Sequence, residues 1–163
     1  MLLPVTHYSL PSELPRQVMC EPMDEEWKER LSSTWWGVGS KVPFPSNWRN
    51  EGAHRAVMDK CLSFGGEAVC MPSEDVDILD IIGNGVFIYG DDADVFKMKT
   101  SRCHENTESL VNSNPGRYIG MTGYALSSDG VWRSHSWAIN KETAKLVETT
   151  LPRLAYFGCI KTQ

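Results

Sequence analysis

The stretch VWRSHSWAI (131–139), NKET (140–143), AKLVETT (144–150) decides the fold. Aromatic and β-branched residues mark both flanks, and the polar NKET between them suits a loop, so the stretch reads as a β-hairpin. Pairing Ile139 with Ala144 sets His135 directly opposite Glu148 on one face. Opposed side chains have Cβ atoms roughly 4.5–5.5 Å apart. A carboxylate at that distance can hold an imidazole N–H. Trp137 and Leu146 fall on the same face and would wall the pair from water. A slip of one residue would turn every side chain to the other face.

Strands continue on both sides. RYIGMTGYALS (117–127) precedes an Asp129-Gly130 turn, and RLAYFGCI (153–160) follows the hairpin. Upstream, SRCHENTESLVN (101–112) reads as a helix that Cys103 begins, capped by Thr100 or Ser101 and broken by NSNPG (112–116). VFIYG (86–90) is a strand after an Asn84-Gly85 turn, and 94–99 is a further one. EDVDILDII (74–82) suits either a short helix or a strand. EGAHRAVMDKCLSF (51–64) carries Ala53, Val57, Cys61 and Phe64 near one stripe and ends at Gly65-Gly66, the pattern of an amphipathic helix. Residues 24–34 form another expected helix, 35–48 an aromatic loop, and the Pro-rich 1–22 an extended arm. Helices gather early and strands late. The expectation is one α+β domain, 1–163, with N-terminal helices packed on a C-terminal antiparallel sheet.

The 163 residues carry 41% apolar and 23% charged side chains, ordinary for a globular chain with a real core. A net charge of −5 argues against gripping nucleic-acid phosphates. No window approaches the roughly 18 apolar residues of a membrane span, and the start lacks a signal-peptide pattern. The five cysteines, Cys20, Cys61, Cys70, Cys103 and Cys159, are odd in number, irregularly spaced and form no CxxC. A disulfide framework is not expected; a reducing cytoplasm is. No paired motif supports a metal, and no cofactor is expected.

Cys103 stands apart from the other four. A thiol in the first turn of a helix feels the positive end of the dipole, which favours the thiolate. Lys97, Lys99 and Arg102 add positive field, and Ser101, Arg102, His104 and Glu105 around it are polar. A cysteine nucleophile needs an imidazole, and the imidazole needs a carboxylate or amide to fix its tautomer. Cys103, His135 and Glu148 supply all three. His104, the next residue after Cys103, points about 100° away on a helix and suits a base role poorly. Asn106 shares the Cys103 face and is a candidate for orienting substrate or an oxyanion. Trp36 in the aromatic loop is a candidate cleft wall, beside Trp137.

His135-Ser136-Trp137 followed by Glu148-Thr149-Thr150 resembles the catalytic hairpin of transglutaminase-like proteins in the papain-like superfamily. The order also matches: Cys on a helix N-terminus, then His and an acid on successive strands. The resemblance covers about residues 100–158, a stretch also similar to small bacterial or phage proteins. It implies a papain-like core and a cysteine-dependent amide hydrolase, deamidase or acyltransferase working through a thioester. The substrate class would be a protein, a peptide or a small amide, with neither nucleic acid nor membrane as partner. Two positions depart from the pattern. Glu148 stands where Asp or Asn is usual, and Lys97 and Met98 stand where a Gln would help form the oxyanion hole. Only the Cys103 backbone N–H is then assigned to that hole. The alternative is a non-enzymatic protein-binding or inhibitor module on a degenerate papain-like scaffold, with the Trp-rich loop 35–48 meeting a protein partner.

Overall fold

The computed structural model describes residues 18, 20, 25–26, 36–37 and 42–162. Among them the chain forms β1 (Trp36–Gly37), α1 (Glu51–Phe64), β2 (Ala68–Cys70), α2 (Ile78–Asn84), β3 (Val86–Tyr89), β4 (Asp94–Val95), α3 (Cys103–Ser113), β5 (Tyr118–Leu126), β6 (Val131–Asn140), β7 (Leu146–Glu148) and β8 (Ala155–Ile160). The architecture is α+β: three helices with one curled, mostly antiparallel sheet. The sheet runs β1-β2-β6-β5-β8-β3, with β7 against β6 and β4 beyond β7. Two pairs are parallel, β2 with β6 and β4 with β7.

The long strands form where aromatic and β-branched residues are dense. β5 and β6 pair from Tyr118–Asn140 to Leu126–Trp132, joined by a turn in which Gly130 takes φ 88°. Trp132, Trp137, Tyr124 and Tyr156 are fully buried around them. One core lies under α1 and α2, where Val57, Cys61, Ile78 and Ile81 meet Phe157 and Trp132. Burying each large apolar side chain of this kind contributes roughly 1.5–3 kcal/mol. A second core joins Met121, Trp137, Ile139, Leu146 and Tyr156. α3 lays Leu110 on Ala138 and Val147.

One edge of β6 positions the site. β5 covers the other edge throughout, but here β2 pairs only with 131–133 and β7 only with 138–139. Among the described residues, 134–137 have no strand partner on that edge.

Several local expectations change. β7 pairs Ala138 with Val147 and Ile139 with Leu146, two residues away from the expected register. The loop is displaced with it: Asn140 N–H donates to Lys145 O at 2.9 Å, and Ala144 takes φ 62°. An even slip preserves the face, so His135 and Glu148 still share it. Residues 78–84 resolve as helix, and Gly85 follows in an extended conformation (φ −63°, ψ 141°) rather than in a turn. The strand expected over 94–99 is regular only at Asp94–Val95. Neither Thr100 nor Ser101 caps α3; Arg102 holds that position without a side-chain capping bond, and Ser101 takes φ 59°. β1 to β4 precede α3, so strands are not confined to the end of the chain. The expected arm 1–22 and helix 24–34 lie outside the described residues, apart from Val18, which bridges Gly65, Cys20, and helical Glu25 and Glu26.

Candidate active site

α3 delivers Cys103 to the open edge of β6. The chain before it is tied down twice. Phe96 N–H donates to Glu148 O and Met98 N–H to Thr149 O, both at 2.8 Å. Asn106 Nδ2 then donates to Lys99 O at 2.7 Å, clamping the loop to the helix it feeds. The Ser136 N–H points out of the free edge, because amides alternate along a strand and that of Asn140 already points to β7. β7 does not reach Ser136, and its amide bonds the Cys103 sulfur instead.

His135 lies on the opposite face of β6 from Ser136, buried, with 3% of its surface exposed. Its Nε2 meets Glu148 Oε1 at 2.8 Å and Oε2 at 3.1 Å. Its remaining nitrogen is left for Cys103, with which it is in direct contact. Glu148 is wholly buried and fully engaged. Tyr156 Oη donates to Oε1 at 2.7 Å, and Thr150 donates to Oε2 from its N–H at 3.1 Å and its hydroxyl at 3.0 Å. A carboxylate taken out of water needs such partners. Trp137 stacks on the His135 ring at 6.2 Å and Tyr156 lies 6.1 Å from it, keeping the pair dry.

This surrounding sets the charges. Burial opposes ionisation of Cys103, but contacts from His104 and His135, the His135 charge and the Ser136 N–H outweigh it, bringing the thiol from 9.0 down to about 5. Burial would depress His135, yet Cys103 and Glu148 raise it. Burial would raise Glu148, yet His135, Tyr156 and Thr150 hold it below the usual carboxylate range. These surroundings favour a thiolate beside an imidazolium backed by a carboxylate. Burial pushes the thiols of Cys61 and Cys159 the opposite way, the latter to about 12.

Two clefts lie beside His104, the residue after Cys103, and neither is lined by Cys103 itself. One, of about 360 Å³, is walled by His104, Thr107, Val111, Gly120, Ser136 and Lys161 among others. The other, of about 400 Å³, is bounded by the 71–77 loop with Glu74, Asp75 and Asp77, and by Thr122, Tyr124, Ser134, His104 and Lys161. His104 and Lys161 border both.

The structure thus brings Cys103, His135 and Glu148 together. It separates the other candidates from them in different ways. Asn106 is buried and spent on Lys99, and lines neither cleft. Trp137 is fully buried behind His135. Trp36 is buried in the core under α1, stacked 4.8 Å from Phe44 and tilted against Trp48. The described aromatics of the 35–48 loop therefore face the core and one another, since burying their rings outweighs exposing them. Sequence reasoning missed Tyr156, Ser136 and the closeness of His104. Thr150 was visible as the second residue after the acid; Tyr156 carries no local signal, because β8 brings it in from a different hairpin.

Among the described residues, no group of three or more His, Cys, Asp or Glu side chains is placed to hold a metal ion, and no helix is long and apolar enough to cross a membrane. No family model matches the chain, and neither a curated protein nor a solved structure matches it.

Proposed function

We propose that the protein is a cysteine-dependent amide hydrolase, deamidase or acyltransferase on a papain-like core. One observation carries this reading: Cys103, His135 and Glu148, drawn from three elements, meet in series at a gap in the sheet edge. A structural cysteine has no need of an imidazole braced by a carboxylate with every oxygen occupied.

The thiolate attacks a carbonyl carbon, and the C=O electron pair moves to oxygen. Backbone N–H at the start of α3 faces that oxygen. The intermediate collapses, His135 gives its proton to the departing amine, and a thioester remains. Water or a second amine, deprotonated by His135, then attacks the thioester and releases Cys103. No step calls for a cofactor. The substrate is a protein, a peptide or a small amide, and five free thiols suit the cytoplasm.

The test is iodoacetamide alkylation of each cysteine from pH 5 to 9, read by mass spectrometry, in wild type and His135→Ala. Cys103 should react fast near pH 6, ahead of Cys61 and Cys159, and slow when His135 is removed. Reaction of Cys103 no faster than theirs would overturn the reading.

A further inference from the structure

A thiolate attack leaves a negative oxygen beside the sulfur, and each preorganised donor aimed at it is worth about 10²–10³ in rate. The helix start offers the Cys103 N–H. A side chain at the sulfur can offer a second donor. Asn106 is turned away onto Lys99. His135 has none to spare, since one nitrogen holds Glu148 and the other serves Cys103.

His104 remains. Its ring engages the Cys103 sulfur, is exposed, and borders both clefts. Its Nδ1 meets Ser136 Oγ at 2.5 Å. With Ser136 Oγ–H donating to Nδ1, the ring is fixed in the tautomer that carries its proton on Nε2. We propose that His104 is a catalytic residue whose Nε2–H is the side-chain donor of the oxyanion hole, oriented by Ser136. This rests on Cys103 acting as nucleophile. No proton is transferred from His104: its N–H bonds the oxygen while the S–C bond forms and is released when the C=O reforms and the amine leaves with the proton from His135.

The experiment compares two reactions of the same thiolate. Acylation by p-nitrophenyl acetate passes through an oxyanion; alkylation by iodoacetamide does not. Both rates are measured for Cys103 across pH and expressed per thiolate, in wild type, His104→Ala and His104→Gln. His104→Ala should slow acylation by about 10²-fold or more while alkylation stays within about twofold, and the amide N–H of His104→Gln should restore at least a tenth of the acylation. Equal losses in both reactions would make His104 a positioning or ionising residue and overturn the proposal. Unchanged acylation would overturn it as well. A wild-type Cys103 inert to iodoacetamide removes the nucleophile itself, which is a failure of the proposed function and not of His104 alone. Ser136→Ala keeps the ring but frees it, so it serves if His104→Ala does not fold. It should lower acylation several-fold with alkylation unchanged, and no change in acylation overturns the proposal.

Discussion

Glu148 reaches His135 along a diagonal of the β6–β7 pair. The observed register, Ala138 with Val147, sets Glu148 level with Trp137, two residues from His135, yet Oε1 lies 2.8 Å from Nε2. Diagonal neighbours on one face are roughly 7–8 Å apart, against 4.5–5.5 Å for direct pairs. The longer reach of Glu compared with Asp helps to bridge that diagonal. Glutamate at position 148 thus reaches an imidazole that lies off its direct cross-strand position.

Glu148→Asp should therefore keep the charge but lose the contact. The pH at which Cys103 becomes reactive should rise from about 5 toward 9.0 in Glu148→Asp, and further in Glu148→Gln. Glu148→Gln also breaks a buried ion pair and should cost about 3–5 kcal/mol, read by urea unfolding.

Acid should weaken the folded wild type in a specific window. Cys103 is lowered from 9.0 to about 5, so its contribution is complete above 9.0 and gone once pH falls through about 5. His135 is raised above 6.5, so its contribution is complete below 6.5 and lost as pH climbs through its elevated folded value. Between about 5 and 6.5 the folded pair shares one proton where the unfolded chain holds two. Melts at pH 5 and 6.5 should show wild type losing more Tm on acidification than Cys103→Ala, which lacks the titrating thiol.

Tyr156→Phe removes a donor to the buried carboxylate and the acceptor of the Arg153 N–H, 3.2 Å from the phenol oxygen. A hydrogen bond to a charged group is worth about 1.5–3 kcal/mol. Calorimetry should show that loss, at about 2–4 °C of Tm per kcal/mol. Cys103 should stay reactive near pH 6, because Glu148 keeps its charge and its contact with His135.

Gly158→Ala should disturb the site from behind. A Cβ there would stand 2.7 Å from Trp137 Cη2 and collide with the Thr122 carbonyl. Overpacking of this kind costs about 1–3 kcal/mol. Trp137 stacks on His135, so the alkylation rate of Cys103 at pH 6 should fall along with Tm.

The sequence by itself determined the elements with strong period or punctuation. Helix 51–64 came from its apolar stripe and closing glycines. β5, β6 and β8 came from aromatic and β-branched density, and the turn between β5 and β6 from Asp129-Gly130. It also determined the chemistry on offer: a thiol at a helix start, then an imidazole and a carboxylate on strands of matching parity. Parity survives an even slip, and that is why His135 and Glu148 could be paired before their register was known. Tertiary structure alone decided the rest. The register depended on Lys145 bonding Asn140 and on Ala144 adopting φ 62°, a conformation that nothing in NKETAK announces. The aromatic loop turned inward because its rings found one another and α1. Tyr156 and His104 joined the site because β8 and α3 carry them to Glu148 and to Ser136 of β6, 8 and 32 residues away in sequence. Local patterning specifies periodicity and residue type. Which side chains converge is fixed only when the strands stack in one order and leave one gap in the edge of β6.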